Sequence, residues 1–260
     1  PPFEYHVPNA QYKVYKKFNN PPIFAEGAAK GHFSWHMMSG GNAFDIFPAE
    51  TFKAMTAEHP LREAPMMAKN FTRVDFGWWR YFPDAQPDLY EYATSKAASW
   101  DCPATLQARN DLFPQNPRNA DVFEVIRRWE DVRAKRWLSD EQKKMLRDPD
   151  TEYILLINEE GEYELCPYFE VKNADENIKA FVFSRKNNSY AVCWHKTGSG
   201  RLSLPLDAAT LTFESELGKA DLPIEKIETN AVIEISDRRY LKTDLSLSKL
   251  KEAVLNSKLI

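Results

Sequence analysis

The chain has 260 residues, 43% of them hydrophobic, and a formal net charge of −4. This is the composition of a folded protein with one large or two ordinary domains, and the acidic balance excludes a general binder of nucleic acid. No apolar run approaches the about 18 residues of a membrane span. The three cysteines have no CxxC or metal-knuckle spacing, so no metal and no cofactor is predicted.

The first informative stretch is 24–47, FAEGAAKGHFSWHMMSGGNAFDIF. A short apolar strand is predicted to end at Glu26, and a helix or loop follows over 28–38. A tight turn at 39–42 contains Asn42, and Asp45 closes the stretch. Together these residues predict the rim of a polar, aromatic-walled pocket.

Two histidines in this stretch have helical spacing. His32 and His36 would share one helix face, with Trp35 between them in sequence and Asp45 as a conceivable third zinc ligand. The spacing lacks the glutamate of the metalloprotease motif and is weak support for a metal. We therefore expect these histidines to hydrogen-bond a substrate or to have a structural role.

Helices and short strands alternate over the next hundred residues. The patterns predict helices over 48–58, 61–68 and 87–100, strands over 71–77 and 102–107, and an aromatic loop over 78–82. A long amphipathic helix follows over 119–138, and Ser139 with Gln142 has capping-box spacing at the start of another.

The hydrophobic period changes from 3.6 to 2 after Asp148-Pro149-Asp150. Eight short strands are predicted between 153 and 235, separated by turn signals, and a helix over 245–259 closes the chain. We therefore expect an α/β segment at 1–148 and an antiparallel β-sandwich domain with a C-terminal helix at 149–260.

The alternation of strands and helices in the first segment is typical of the last βα units of a (β/α)₈ barrel. Functional groups of such barrels lie at the carboxyl ends of the strands. The residues expected at those ends are Glu26, Asp75 with Trp78 and Trp79, and Asp101 or Gln107.

Four segments carry a resemblance to the C-terminal barrel part of bacterial glycoside-hydrolase-like proteins: FAEGAAKGHFSWHMMSGGNAFDIF, TRVDFGWW, TSKAASWDCPATLQ and ADVFEVIRRWEDVRAKRWLS. The segment SYAVCWHKTGSGRLSLPL is similar to the small β-sandwich that follows such barrels. The resemblance implies a partial barrel, because a complete one takes about 250 residues. Roughly five βα units are then expected to lie outside this chain, or the first segment forms a smaller α/β fold. It also implies an extracytoplasmic location, while the oligomeric state is left undetermined.

Glycoside hydrolysis commonly uses two carboxylates on either side of the scissile bond. Glu26 is the leading acid/base candidate, with Asp75 and Asp101 as partners. The alternative is that these acids are structural and pair with cations such as Arg73 or Lys96.

The predicted substrate contacts are aromatic, amide, imidazole and cationic side chains, since sugar C–H faces pack on rings and hydroxyls bond to polar groups. They are His32, Trp35, His36, Asn42, Asp45, Trp78, Trp79, Arg80 and Trp100. The first hypothesis is a carbohydrate-active protein that hydrolyses glycosidic bonds. The alternatives are a non-catalytic carbohydrate-binding protein with the same pocket and a structural protein whose aromatics only fill cores.

Overall fold

The computed structural model of the chain describes residues 2–20, 40–42, 45–46, 51–58, 73–75, 78–173 and 175–260. Its helices are α1 (Pro2–Tyr15), α2 (52–58), α3 (Pro87–Ser99), α4 (Asn119–Ala134), α5 (Asp140–Leu146) and α6 (Leu247–Leu255). Its first strands are β1 (Gly40–Asn42), β2 (Asp45–Ile46), β3 (Arg73–Asp75), β4 (Trp78–Arg80) and β5 (Thr105–Gln107).

The remaining strands are β6 (Glu152–Ile157), β7 (Tyr163–Glu170), β8 (Ile178–Arg185), β9 (Asn188–His195), β10 (Gly200–Leu204), β11 (Thr212–Glu214), β12 (Glu225–Ile227), β13 (Asn230–Ile235), β14 (Arg239–Thr243) and β15 (Lys258–Leu259). The chain is thus a mixed α/β protein with parallel strands before α4 and antiparallel strands after α5. None of the described helices is both long enough and apolar enough to cross a membrane.

All described strand pairs of the first part are parallel. β1 pairs with β3, and β2, β4 and β5 form a three-stranded sheet in the order β2-β4-β5. Gly40 pairs with Arg73, and Asp45 pairs with Trp78. The two pairs have the same separation in sequence, so β3 and β4 are successive parts of one line of chain that runs beside β1 and β2. Parallel neighbours need crossover connections, and α2 and α3 provide them.

The second part consists of two antiparallel sheets. The larger has the order β11-β14-β9-β8-β7-β6, and the smaller has the order β12-β13-β10-β15. Ala180 and Val182 of β8 lie in one core with residues of the smaller sheet and α6. Phe181 and Phe183 of the same strand lie in another core on the opposite face. Since successive side chains of a strand point to opposite faces, both faces of the larger sheet are buried.

Helix α3 lies between the two parts. Twelve of its residues are buried, and one core joins its Ala93 and Ala97 to Trp79 of β4, Trp129 of α4 and Leu155 of β6. Trp194 of β9 donates its Nε1–H to Gln86, just before α3, at 2.9 Å. The boundary between 148 and 149 therefore falls between elements that share one core, and the two-domain division stays a prediction.

Two segments of the first part that are predicted as a turn and a loop contain strands in the structure. The turn predicted at 39–42 includes strand β1, and the aromatic loop predicted at 78–82 begins with strand β4. Glycines disfavour a strand interior and consecutive tryptophans hide the alternation of period 2, so neither strand has a local signal. Strands β14 and β15 were not predicted at all, because each is short and carries charged residues.

Candidate functional site

The parallel strands bring their carboxyl ends to one edge of the sheet. Asp45, Trp78 and Thr105 form one row of paired positions, Ile46, Trp79 and Leu106 form the next, and Arg80 pairs with Gln107. The amide of Tyr81 continues the pairing and donates to the carbonyl of Gln107 at 3.0 Å. In open parallel sheets ligands bind outside the carboxyl ends of the strands. We call this border of the sheet the carboxyl edge.

A cavity of about 480 Å³ opens at the carboxyl edge. Its described lining consists of Arg80, Tyr81, Gln107, Ala108, Arg109 and Leu112. The volume lies within the usual range of small-molecule sites. Cationic, amide and apolar groups occur together in this lining, which suits a ligand with many polar groups and an apolar face.

The two arginines of this cavity differ in their partners. The guanidinium of Arg109 pairs with Asp111, with its Nε 2.9 Å from Oδ1. Arg80 is exposed, and its guanidinium lies 5.3 Å from the ring centroid of Phe82. Among the described residues no carboxylate pairs with Arg80. Arg80 is therefore the cation of this lining that remains available to a ligand.

Tyr81 fixes the floor of the cavity. Its side chain is fully buried and its hydroxyl donates to Oδ1 of Asn119, the first residue of α4, at 2.6 Å. Burial raises the pKa of Tyr81 to about 12, so the hydroxyl stays protonated near neutral pH. The ring also stacks on Phe123 at a centroid distance of 6.2 Å. The cavity floor is thus attached to α4.

Trp79 is placed in the core, away from any pocket surface. The side chain is fully buried, and its ring lies 6.1 Å from Phe52 of α2 and 6.5 Å from Tyr90 of α3. Helices cover this face of the sheet, so Trp79 packs between strand and helices. This differs from the predicted substrate contact, because a ring without exposed surface has no face to offer a sugar.

Trp100 and Asp101 lie at the opposite edge of the sheet. They follow α3 and precede β5, so the parallel crossover places them at the amino end of that strand. The prediction that Asp101 follows a strand therefore differs from the structure. Asp101 has a positive φ of 56° and pairs with Lys143 of α5 at 2.9 Å. The guanidinium of Arg147 lies 3.7 Å from the ring centroid of Trp100 and occupies one face.

Four other predicted residues are described in their backbone alone. Asn42 ends β1, Asp45 begins β2, Asp75 ends β3 and Trp78 begins β4. Since β4 continues the line of β3, Asp75 is not at the carboxyl end of that line, which differs from the prediction. Asp45 and Trp78 are paired positions one row away from the row of Ile46 and Trp79.

The remaining predicted residues Glu26, His32, Trp35 and His36 lie outside the described residues, and their roles stay predictions. Within the ranges that the structure describes, no three His, Cys, Asp or Glu side chains are grouped as a metal site would require. The sequence reasoning missed Tyr81 and Arg109 as lining residues. The signal that could have identified them is their position just after two parallel strands. That position is recognised only when β4 and β5 have been assigned as strands.

Comparisons with known proteins add a limited likeness. An α-amylase from Anoxybacillus is 10% identical to this chain, with a TM-score of 0.27 over 94% of this chain and 57% of the other. An α-amylase from H. orenii is 11% identical, with a TM-score of 0.28 over 94% and 58%. A GH30 endoxylanase from Clostridium papyrosolvens is 9% identical, with a TM-score of 0.26 over 92% and 61%.

The chain spans about three fifths of the length of these structures. At such TM-scores and identities the likeness decides neither the fold nor the activity. No family model matches the chain, and no curated protein matches it.

Proposed function

We propose that the chain is part of a carbohydrate-active protein of glycoside-hydrolase type, and that its sugar binds at the carboxyl edge of β4 and β5. The observation that carries this proposal is the cavity of about 480 Å³ at that edge. The parallel order β2-β4-β5, with helices in the crossovers, supports a partial (β/α)₈ barrel.

The chemistry of the lining fits a sugar. Arg80 and Gln107 are exposed donors on paired positions, so they can bond neighbouring hydroxyls of one ring. Ala108 and Leu112 provide apolar surface for the C–H face. Such a combination of a few polar groups with an apolar wall is typical of small-molecule sites.

Catalysis would need two carboxylates. Glu26 is the proposed acid/base. Asp75 is not proposed as its partner, because β4 continues the line of β3 beyond Asp75 and places it away from the carboxyl edge. Asp101 is no longer proposed, because it lies at the amino edge and pairs with Lys143. None of the described lining residues carries a carboxyl group, and this favours a second candidate, a non-catalytic carbohydrate-binding protein.

Hydrolysis of a panel of aryl glycosides tests the catalytic proposal. We expect turnover of at least one substrate, and Glu26→Gln should lower kcat by about a hundredfold or more. Asp101→Asn is the matched control and should retain activity. Equal loss in Asp101→Asn would contradict the assignment of Glu26. The absence of turnover in wild type would leave the non-catalytic candidate.

Binding tests the site itself. Calorimetric titration with the hydrolysis products, or with the same glycosides if none is hydrolysed, should give an about tenfold weaker affinity for Arg80→Met, since a hydrogen bond to a charged donor is lost. Lys144→Met removes an exposed cation of α5 and should not change the affinity. Unchanged affinity in Arg80→Met would place the sugar elsewhere.

A further inference from the structure

A second and larger cavity, of about 560 Å³, lies where α4 meets the antiparallel part of the chain. We call it the junction cavity. Its walls are α4 at Asp121, Glu124 and Arg128, the β6–β7 turn, the loop at 215–219 and the start of β14. Among the described residues, it shares no lining residue with the cavity at the carboxyl edge. Ligand sites are frequent at such junctions between packed units.

The charged groups of the junction cavity are balanced. Acidic and basic side chains are equal in number in its described lining, and most of them already have partners. Arg128 pairs with Glu124 at 2.7 Å and Lys219 with Glu216 at 2.8 Å. Arg238 pairs with Glu91 at 3.0 Å. A site with paired charges gains little from a charged ligand, because each new ion would have to displace an existing partner.

Three polar groups of the lining retain hydrogen-bonding capacity. Asp121 accepts the backbone N–H of Arg238 on Oδ2 at 3.1 Å, which leaves Oδ1. Asn158 accepts two backbone amides on Oδ1, which fixes the amide and leaves both Nδ2 hydrogens. The hydroxyl of Tyr240 has no partner among the described residues. An acceptor, a donor and a hydroxyl thus face one space.

Apolar groups complete the wall. Ile157, Leu217 and the ring of Tyr240 line the same cavity. Asp121 is half-buried, and this burial raises the pKa of its carboxyl, so a hydroxyl donor would stabilise the charged form. A ligand that matches this lining carries hydroxyls for its polar groups and C–H surface for its apolar groups. Neutral sugars combine these two properties.

We infer that the junction cavity is a second carbohydrate site that binds a neutral sugar or the end of a neutral glycan, with Asp121, Asn158 and Tyr240 bonding its hydroxyls. This site does not depend on the one proposed at the carboxyl edge. Each of its described carboxylates is bonded to a cation or a backbone amide, so we assign the site a binding role alone. Two sites on one chain would raise the affinity for a glycan long enough to reach both.

The inference is tested by NMR titration of the full chain with maltose, cellobiose and xylobiose, each alone, and with glucuronate and glucosamine as charged probes. At least one neutral sugar should shift the amide signals of 215–219 and 238–240. The shifts with a free disaccharide are compared with those of a soluble polysaccharide of the same sugar unit. Binding of the disaccharide alone indicates a site for short sugars, and binding of both indicates a site that accepts the end of a longer chain. Stronger shifts with a charged probe, or none with any neutral sugar, would overturn the inference.

Two variants assign the binding to this cavity. Tyr240→Phe removes one hydroxyl and keeps the ring, and Asp121→Asn keeps the shape of the carboxyl, so each should weaken the affinity about tenfold. Tyr153→Phe is the matched control on β6 and should leave it unchanged. Arg80→Met should also leave it unchanged, which separates this site from the carboxyl edge. If both lining variants bind the sugar as tightly as wild type does, the assignment to this cavity is refuted. If either variant fails to fold, the position of the shifted amide signals in wild type decides whether the sugar binds in this cavity.

Discussion

Glu91 is the residue on which the two parts of the chain meet most closely. Its buried carboxylate accepts the indole N–H of Trp129 at 2.6 Å and the amide of Leu155 at 3.0 Å. It also pairs with Arg238, whose guanidinium lies 5.8 Å from the ring centroid of Trp194. One carboxylate on α3 thus binds α4, β6 and the turn before β14. A buried ion of this kind is costly to separate from its partner.

We expect Glu91→Gln to lower the free energy of unfolding by about 3 kcal/mol, because the guanidinium of Arg238 stays buried without a counter-charge. Chemical denaturation measures this loss. Glu176→Gln, at an exposed position without a partner among the described residues, is the control and should change stability by less than about 0.5 kcal/mol. Equal effects of the two substitutions on the free energy of unfolding would show that the buried guanidinium of Arg238 does not need Glu91 as its counter-charge.

At the scale of the element, α3 is a helix without a solvent face. Asp88, Glu91 and Lys96 are as buried as its alanines. A helix with charges around its circumference is ordinarily expected at the surface. Here each charge has a partner in another element, and Lys96 donates to the backbone carbonyls of Asp148 and Thr151. The complete burial of α3 is therefore a result of tertiary packing.

Burial lowers the pKa of Lys96 from 10.5 to about 8. Between these values the unfolded chain binds a proton that the folded chain has released, so the contribution of Lys96 to the free energy of unfolding rises with pH. Relative to Lys96→Met, wild type should gain about 1 kcal/mol between pH 8 and about pH 9. The ionisation of cysteines and tyrosines cancels in this difference. Parallel stability curves for the two proteins would contradict the lowered pKa.

At the scale of the whole molecule, an ion network around the buried carboxylate of Asp88 joins the two parts. Asp88 of α3 contacts Lys53 of α2 at 3.0 Å and Lys179 of β8 at 3.1 Å. Lys53 also pairs with Glu152 of β6 at 2.8 Å, and Lys179 with Glu170 of β7 at 2.6 Å. Because these charges are shared across the boundary, we expect the two parts to unfold in one transition.

Burial opposes the ionisation of Asp88, but Lys53 and Lys179 outweigh it and lower its pKa to about 2. The stability from this lowered pKa is present above the usual value of 3.8 and is lost as the pH falls towards 2. Asp88→Asn should cost about 3 kcal/mol at neutral pH, and less as the pH is lowered through this window. Thermal unfolding followed by tryptophan fluorescence and by circular dichroism measures both the loss and the cooperativity. A constant cost down to pH 2, or transitions that differ between the probes, would contradict this account.

Local pattern alone determined much of this protein. The period of 2 after Asp150 predicted β6 to β13 with boundaries close to those observed, and Ser139 with Gln142 forms the predicted capping box. These features depend on neighbours in sequence: alternation follows from the pleat, and a cap follows from one side chain and one nearby amide.

Only the tertiary structure decided where the functional groups lie. Trp79 is a core residue because α2 and α3 cover its face of the sheet, and Asp101 lies at the amino edge because β5 begins after it. Arg80 and Gln107 meet because two strands far apart in sequence are paired in register. Register and edge are properties of paired strands, so a residue pattern that is read along one strand does not contain them.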